Sequence, residues 1–167
     1  MIEKGLLTDN EMNFLINSLS INGGMSEYEY NQLKLKHPYA VKRDDNAVIL
    51  SDMKHYGSQD PKLNDFLLEK FGRPEYELDF FYELIYNKGD YTNTHKDRYI
   101  VIQTTLILLN DDFTGGELLI ENEHIEFNKK NMYINFDGYN LKHSVSEVKS
   151  GQRRVLVVMF NKKETLI

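Results

Sequence analysis

The sequence contains no cysteine and no tryptophan, and only 3 of its 167 residues are proline. Without cysteine the chain cannot form disulfides, bind a metal through thiolates or use a thiol as a nucleophile. No long apolar run follows residues 1–4, so we expect neither a signal peptide nor a membrane-spanning helix. These absences predict a cytoplasmic protein with no membrane partner.

Positive charge is also in the minority, with 20 Lys and Arg against 26 Asp and Glu, a net charge of -6. An acidic chain has no general attraction to a phosphate backbone, which disfavours nucleic acid as a partner and nucleobase oxidation as a reaction. Hydrophobic residues make up 41% and charged residues 28%, which is ordinary for a globular protein. The length fits one domain.

Two segments in the first half of the chain have helical patterns. The capping-box spacing of Thr8 and Glu11, followed by apolar residues at helical intervals, predicts a helix from Thr8 to about residue 18. Asp60 and Pro61 provide an N-cap and a first-turn proline for a second helix over residues 62–71. Both helices have an apolar face that must pack on other elements.

Beyond residue 74 the pattern becomes that of short strands rich in β-branched, leucine and aromatic residues, separated by turns with glycine and aspartate. The predicted strands are residues 76–86, 99–109, 117–121, 132–136 and 153–160. Residues 22–56 also contain alternations typical of short strands with loops. We therefore expect a single mainly β domain, a barrel or two-sheet sandwich over residues 75–163, with residues 1–74 as a supporting region whose helices pack on one sheet.

The segment 86–97 contains His95 and Asp97 two residues apart. On a strand, both side chains would project from the same face. A second histidine from a distant strand would complete the 2-His-1-carboxylate triad that holds non-haem Fe(II) and leaves metal positions open. The alternative is a chance pair, in which His95 bonds to Asp97 or caps a turn.

A second informative segment runs from His143 through a turn to a strand that begins with Arg153 and Arg154 and continues as an apolar run. A buried strand has little reason to begin with a cation unless an anion binds it, and guanidinium binds a carboxylate through two parallel hydrogen bonds. Either arginine could point inward. The alternative is a surface turn in which both arginines are solvated.

An ordered set of residues combines these segments: Tyr86, Gly89, Tyr91, His95, Asp97, Leu109-Asn110, Gly115-Gly116-Glu117-Leu118, His143 and Arg153. This set resembles the prolyl 4-hydroxylase-like branch of the iron(II)- and 2-oxoglutarate-dependent dioxygenases, over about residues 82–162. That family has a double-stranded β-helix, or jelly-roll, core. In it, His-x-Asp precedes a Leu-Asn turn and Gly-Gly-Glu-Leu, and an Arg or Lys follows the distal histidine by ten positions.

The resemblance implies that His95, Asp97 and His143 bind Fe(II) as the catalytic metal site. It further implies 2-oxoglutarate and O2 as cosubstrates, succinate and CO2 as products, and ascorbate as an expected reductant. Halogenases related to this family have an open position for chloride where the carboxylate would bind. Because Asp97 is retained, the resemblance favours hydroxylation.

By the same resemblance Arg153 would bind the far carboxylate of 2-oxoglutarate, and Arg154 would point outward. Tyr86 would assist Arg153 through its hydroxyl, although a barrel tyrosine bonded to backbone is the alternative. Tyr91 and Arg98, on either side of the His-x-Asp motif, are candidate substrate-binding residues.

The chain departs from the family pattern where the substrate pocket is expected. Leu108 stands where tyrosine is frequent, and Met159-Phe160 stand near the usual tryptophan of the last strand. The other histidines have no second ligand at a useful spacing, so we interpret them as surface or structural residues; they are His37, His55 and His124.

The leading hypothesis is therefore a hydroxylase of a peptidyl prolyl residue or a similar protein side chain. A second enzyme hypothesis is hydroxylation of a free amino acid or another small metabolite. From another class, the chain could be a non-catalytic β-helix module that binds a metal or ligand, or a cupin-type metal enzyme that does not use 2-oxoglutarate.

Overall fold

The computed structural model describes residues 2–22, 49–55, 60–97 and 100–163, and these form thirteen strands and two helices. The helices are α1 (Asp9–Asn22) and α2 (Pro61–Phe71). The strands are β1 (Ile2–Leu6), β2 (Ile49–Leu50), β3 (Asp52–His55), β4 (Tyr76–Tyr86), β5 (Tyr91–His95), β6 (Val101–Leu108), β7 (Phe113–Gly115), β8 (Leu118–Ile120), β9 (Glu123–Ile125), β10 (Met132–Phe136), β11 (His143–Val145), β12 (Val148–Gly151) and β13 (Arg153–Lys162).

The strands form two main antiparallel sheets. One has the order β1-β10-β6-β13-β4-β3, and the other has the order β2-β5-β11-β8-β9. A third, two-stranded sheet pairs β12 with β7. This mainly β jelly-roll with flanking helices confirms the predicted fold class.

The central strand β13 shows why its sequence is apolar on both faces. Val155 and Val157 belong to the buried cluster between the two main sheets, whereas Leu156 and Val158 belong to a second cluster on the opposite face of the six-stranded sheet. Because successive side chains of a strand point to opposite faces, the sequence of a strand that is covered on both faces is a continuous apolar run.

The second cluster contains the buried faces of both helices, including Leu15 of α1 and Leu63 of α2. The predicted packing of the helices on one sheet is therefore confirmed. No helix in the described ranges is long and apolar enough to cross a membrane.

The helix starts follow the predicted capping chemistry. The backbone N–H of Thr8 donates to Oε1 of Glu11 at 2.9 Å, and the N–H of Glu11 donates to Oγ1 of Thr8 at 3.1 Å. Asp60 accepts hydrogen bonds from the first backbone N–H groups of α2. At its other end α1 continues to Asn22, beyond the predicted end near residue 18, because the apolar pattern gave no stop signal there.

Several strands differ from the sequence-based prediction. The strand over residues 99–109 is shorter, as β6, and the one over 117–121 is reduced to β8. The edge strand β1 was not predicted, because four of its five residues are exposed and its sequence has no clear apolar face. Within residues 22–56 the structure describes only β2 and β3 beyond the end of α1; the alternation at residues 32–36 lies outside the described residues.

Candidate metal centre

His95 and His143 come from neighbouring antiparallel strands and face each other as register partners of the β5–β11 pair. Their ring centroids are 4.3 Å apart. Asp97 lies just beyond the end of β5, where its backbone N–H donates to the carbonyl oxygen of Gly138 at 2.7 Å. His95 and Asp97 thus lie close together as predicted, but only His95 is on the strand, and Asp97 is in the loop that follows it.

The three side chains place one potential ligand atom each within 4.8 Å of one another. Nδ1 of His95 lies 2.8 Å from the carbonyl oxygen of Asn93, and Nδ1 of His143 lies 2.8 Å from that of Leu141. A carbonyl oxygen only accepts, so Nδ1 carries the proton in both rings and Nε2 is the nitrogen that would present a lone pair to a metal. This is the tautomer that a metal-binding imidazole needs.

The two Nε2 atoms converge on Oδ1 of Asp97, at 3.6 Å from His95 and 3.3 Å from His143. The other oxygen, Oδ2, accepts a hydrogen bond from Oγ1 of Thr104 at 2.5 Å. Asp97 therefore offers one oxygen to the histidines while its second oxygen is held by the protein.

Asp97 is 5% exposed, and burial alone would raise the pKa of its carboxyl group. The neighbouring rings of His143 and His95, together with the hydrogen bond from Thr104, nevertheless hold the pKa of Asp97 well below its ordinary value. A positive charge at this point is therefore strongly favoured. Two imidazole nitrogens and one carboxylate oxygen fit a non-haem Fe(II) ion.

Gly138 completes the environment of the carboxylate. A Cβ atom at this position would collide with Oδ2 of Asp97 and with Oγ1 of Thr104. Only glycine therefore allows the backbone to approach the carboxylate closely enough for its carbonyl to accept the Asp97 N–H.

Arg153 is 0% exposed, and its Nε, Nη1 and Nη2 atoms have no hydrogen-bond partner among the described residues. Burial lowers the pKa of Arg153, although an arginine remains charged in proteins. A buried cation without a partner is costly unless an anion binds to it. The guanidinium thus fits the carboxylate of a bound ligand.

The neighbouring Arg154 has the opposite orientation. Its Nε donates to Oε1 of the fully buried Glu83 at 2.5 Å, and its side chain is 41% exposed. The predicted choice of Arg153 as the inward residue agrees with this geometry. The alternative of two solvated arginines is wrong, because Arg153 is completely buried.

Tyr86 lies beside Arg153, whose guanidinium carbon is 5.1 Å from the centre of the tyrosine ring. The Tyr86 hydroxyl is bonded to Oγ1 of Thr92 at 2.7 Å, so its observed partner is a side chain rather than backbone. Burial raises the pKa of Tyr86 above its ordinary value, which keeps the phenol neutral.

One cavity between the two main sheets is lined by both the triad and Arg153, and its empty space, including the part that is open to solvent, is about 450 Å³. Tyr86 and Thr104 also line it. Its apolar lining includes Leu84, Leu106, Leu118, Val155, Val157 and Met159. A ligand with one end at the triad and an anionic group at Arg153 would therefore be held in a largely apolar enclosure.

The other candidate residues lie elsewhere. Tyr91 begins β5, is 39% exposed and is not among the residues that line the cavity. Arg98 and His37 lie outside the described residues, as does the side chain of His55. His124 is exposed and lies 3.6 Å from the carboxylate of Glu117, as expected for a surface residue.

Sequence reasoning missed Thr104, Thr92 and the contact role of Gly138. The hydroxyl residues are common in strands, and nothing in their spacing connects them to the motif. From the sequence, Gly138 is simply one of the glycines in the turns between predicted strands. Its contact with Asp97 joins positions far apart in the chain, which a single sequence does not reveal.

No protein-family model matches the chain, and no curated protein matches its sequence. The structure is similar to viral collagen prolyl hydroxylase from Paramecium bursaria Chlorella virus-1, solved as a 2OG complex, with a TM-score of 0.65 and 16% identity over 98% of this chain and 96% of that one. It is also similar to a Trichoplax adhaerens prolyl hydroxylase in complex with a hypoxia inducible factor peptide fragment, with a TM-score of 0.53 and 16% identity over 92% of this chain and 90% of that one.

A further match is an oxidoreductase of the 2OG-Fe(II) oxygenase family from Burkholderia pseudomallei, with a TM-score of 0.49 and 19% identity over 63% of this chain. This match covers 53% of that protein, so the chain spans about half of its length. The two more extensive similarities agree with the order of elements and with the two-sheet core described above. The chain therefore has the jelly-roll fold of the prolyl hydroxylases among the 2-oxoglutarate- and Fe(II)-dependent oxygenases.

Proposed function

We propose that this protein is an Fe(II)- and 2-oxoglutarate-dependent hydroxylase of a peptidyl prolyl residue or a similar protein side chain, with succinate and CO2 as coproducts. One observation carries the proposal. Arg153, a buried cation with no hydrogen-bond partner among the described residues, lines the same cavity as His95, Asp97 and His143. A metal site alone would not require that arginine.

Nε2 of the two histidines and Oδ1 of Asp97 would hold the Fe(II) ion. When bound, the metal supplies the activation of dioxygen that is coupled to decarboxylation of 2-oxoglutarate. The chain's own contribution is to fix the three ligands. The carbonyls of Asn93 and Leu141 orient the imidazoles, and Thr104 orients the carboxylate.

Arg153 would bind the far carboxylate of 2-oxoglutarate through its guanidinium. The surrounding Leu84, Val155 and Leu118 exclude water, which strengthens the charge interaction relative to an exposed ion pair. The neutral Tyr86 hydroxyl can donate to the same carboxylate while its ring supports the guanidinium. The anion would thereby bind at a defined distance from the metal ligands.

The lining favours a protein substrate over a free amino acid. Among the described lining residues, Asp97 and Arg153 are the only charged side chains apart from the two imidazoles. A free amino acid brings an ammonium and a carboxylate that both need partners, whereas a peptide presents an uncharged aliphatic group. The Trichoplax prolyl hydroxylase, solved with a peptide fragment, supports this choice by analogy.

The reaction is tested by succinate formation from purified protein with Fe(II), 2-oxoglutarate and ascorbate, in the absence of any prime substrate. We expect slow formation by the parent chain and none by His95→Ala or Asp97→Ala. His124→Ala is the matched control because that histidine is exposed, and it should retain the parent rate. Arg153→Ala should reduce succinate formation steeply.

The alternatives predict different results. A cupin-type enzyme would be unharmed by Arg153→Ala, and a binding module would form no succinate and bind no 2-oxoglutarate. Turnover on a panel of proline-containing peptides, compared with a panel of free amino acids and other metabolites, tests the substrate class. Faster succinate formation with a metabolite would overturn the peptide assignment. Ascorbate dependence and a cytoplasmic location stay predictions.

A further inference from the structure

The start of β13 and the residue before it are hydrogen-bonded to the turns that follow both neighbouring strands. In the six-stranded sheet β13 lies between β6 and β4. Asn110 lies in the turn after β6, and Asn87 lies in the turn after β4. Both asparagines bond to the chain next to Arg153, which is the first residue of β13.

The Asn110 side chain binds the backbone on both sides of Arg153. Its Nδ2 donates to the carbonyl oxygen of Gln152 at 2.6 Å, and its Oδ1 accepts from the N–H of Arg154 at 2.8 Å. The N–H of Leu109 donates to the carbonyl oxygen of Arg154 at 2.9 Å. One amide group therefore fixes the peptide units that precede and follow the buried arginine.

Two further contacts constrain the same residue. Nε2 of Gln152 donates to Oδ1 of Asn87 at 2.9 Å. At Gly116, which has φ +60°, an added Cβ atom would lie 2.8 Å from Cδ of Arg153. The glycine therefore lets the loop before β8 pack directly against the arginine stem.

These contacts matter because the guanidinium itself is not held by hydrogen bonds. Its three nitrogens have no partner among the described residues, so its direction depends on its backbone and on packing against Gly116 and Tyr86. A long side chain that must become ordered when a ligand binds loses affinity through its conformational entropy. Fixing the backbone beforehand reduces that loss and sets the reach of the charge.

We propose that Asn110 is a positioning residue for 2-oxoglutarate: it acts through Arg153 by holding the backbone from which the guanidinium reaches the far carboxylate. This inference rests on the proposed function. It assigns a role in ligand binding to a half-buried asparagine that belongs neither to the triad nor to the residues that line the cavity. The Leu109-Asn110 turn thereby contributes to cosubstrate binding as well as to the connection between strands.

The test is an anaerobic calorimetric titration of 2-oxoglutarate into the Fe(II)-loaded full chain. For Asn110→Ala we expect the dissociation constant to rise about 10-fold, as for other residues that orient a ligand-binding group. Fe(II) affinity should change less than twofold. Affinity for oxalate, which chelates a metal similarly but has no distal carboxylate, should also change less than twofold.

The matched control is Thr114→Val. It removes an exposed hydrogen bond of 2.6 Å between Thr114 and Ser150, in the adjacent two-stranded sheet, which does not involve the residues around Arg153. This variant should bind 2-oxoglutarate like the parent chain. In an Arg153→Ala background, Asn110→Ala should weaken binding by less than a further twofold, because its effect passes through the arginine.

Two other variants keep the test decisive if Asn110→Ala does not fold. Asn110→Asp retains the acceptor for Arg154 but loses the donor to both Gln152 and Asp112, and it places a second carboxylate beside that of Asp112. Gln152→Ala loses the bond to Asn87. Asn110→Asp should therefore weaken 2-oxoglutarate binding by about 10-fold, and Gln152→Ala by about 2- to 5-fold, the value of one hydrogen bond. Both must retain the parent's affinity for Fe(II).

The results separate this inference from the proposed function. If the parent chain binds Fe(II) but not 2-oxoglutarate, the proposed function fails first. If the parent binds 2-oxoglutarate and the Asn110 variants bind it equally well, only the positioning role is overturned. Equal losses of Fe(II), oxalate and 2-oxoglutarate affinity would show a merely structural asparagine and would also overturn it.

Discussion

Arg153 and Tyr86 are register partners across the β13–β4 pair, and the guanidinium carbon of Arg153 is 5.1 Å from the centre of the tyrosine ring. The pair lies in the interior of the jelly-roll, with both side chains almost completely buried. A neutral phenol beside a guanidinium that has no hydrogen-bond partner in the described part of the chain forms a second polar region, besides the triad, in a cavity whose lining is largely apolar. This arrangement suits a carboxylate that needs both a counter-charge and a hydrogen-bond donor.

We expect Tyr86→Phe to weaken 2-oxoglutarate binding about 5-fold, the value of one hydrogen bond of about 1 kcal/mol. The ring remains under the guanidinium, so Arg153 should keep its orientation. The measurement is an anaerobic binding titration on Fe(II)-loaded protein. Thr92→Val removes the present partner of the hydroxyl and serves as the comparison, with little loss expected. If Tyr86→Phe binds 2-oxoglutarate as tightly as the parent chain, the tyrosine contributes only through packing.

Metal binding should stabilise the fold, because the triad is assembled from two strands and a loop that separate on unfolding. At a 100-fold excess over its dissociation constant, a metal ion adds about 2.7 kcal/mol to the free energy of unfolding. For a chain of this size that corresponds to a rise in Tm of roughly 5–10 °C. Thermal unfolding with and without Mn(II) or Fe(II) measures the rise. It should disappear in His143→Ala but persist in His124→Ala.

Thr104 should control metal affinity without touching the metal. Thr104→Val removes the hydroxyl that holds Oδ2 of Asp97, and the freed carboxylate can rotate away from the histidines. We expect metal affinity to fall by about 10- to 100-fold. The neighbouring Thr105 is an internal control, since its hydroxyl bonds to Asn135 and it is not among the cavity-lining residues.

Thr105→Val should lower the free energy of unfolding by about 1–3 kcal/mol, because the Asn135 amide oxygen and the Gln103 amide nitrogen each lose a buried partner. Its metal affinity should match that of the parent chain. Titrations with Co(II) on both variants, together with chemical denaturation, separate the two effects. An equal loss of metal affinity in the two variants would contradict the role given to Thr104.

The grouping of His95, Asp97 and His143 could be predicted from sequence because His95 and Asp97 form a local motif and the family resemblance added His143. His95 and Asp97 are two positions apart, and His143 precedes Arg153 by ten. The inward choice of Arg153 followed from the resemblance and agrees with its complete burial. The strands β4 and β10 were predicted with the bounds that the structure gives them.

What escaped prediction depends on contacts between distant parts of the chain. Asn110 and Gln152 are 42 positions apart, and their bond has no periodic pattern that one sequence could show. The short strands β7, β11 and β12 contain three or four residues each, so their pairing depends on neighbours more than on intrinsic preference. Tertiary context determines such elements.

Gly138 and Gly89 should respond to alanine in opposite ways. Gly138→Ala places a Cβ against the Asp97 carboxylate, so metal affinity should fall at least 10-fold, an effect like that of other residues orienting a ligand. Gly89 has φ +92°, and a Cβ there would make only an ordinary contact, 4.0 Å from Oε1 of Glu147, so Gly89→Ala should cost about 1–2 kcal/mol of stability through backbone strain. Its metal affinity should stay at the parent value.

The opposite result would be loss of metal affinity in Gly89→Ala and normal metal affinity in Gly138→Ala. It would contradict the conclusion that the close approach of the Gly138 backbone to the Asp97 carboxylate supports the metal site. Metal titration and thermal unfolding of both variants are sufficient to decide. The comparison is informative because the same substitution is made twice. At Gly138 the added methyl group meets the Asp97 carboxylate, whereas at Gly89 it strains the backbone.

Glu11 should make stability depend on pH. It accepts the backbone N–H of Thr8 and lies 3.1 Å from Nζ of Lys70, which joins α1 to α2. The bond from Thr8 and the charge of Lys70 lower the pKa of Glu11 below its ordinary value of 4.5 despite partial burial. A lowered pKa in the folded state stabilises the fold above the unfolded pKa, and this contribution is lost as pH falls through the folded pKa.

At pH 7 we therefore expect Glu11→Gln to reduce the free energy of unfolding by about 0.3–1 kcal/mol, because glutamine keeps the capping geometry but loses the charge. The deficit should shrink as the pH is lowered below 4.5, where the parent carboxylate also becomes neutral. Urea denaturation of both proteins across this range measures the difference. Lys70→Met supplies the partner variant: in its background Glu11→Gln should cost less, since the ion pair is already absent. A deficit that stays constant down to acid pH would assign the effect to packing rather than to charge.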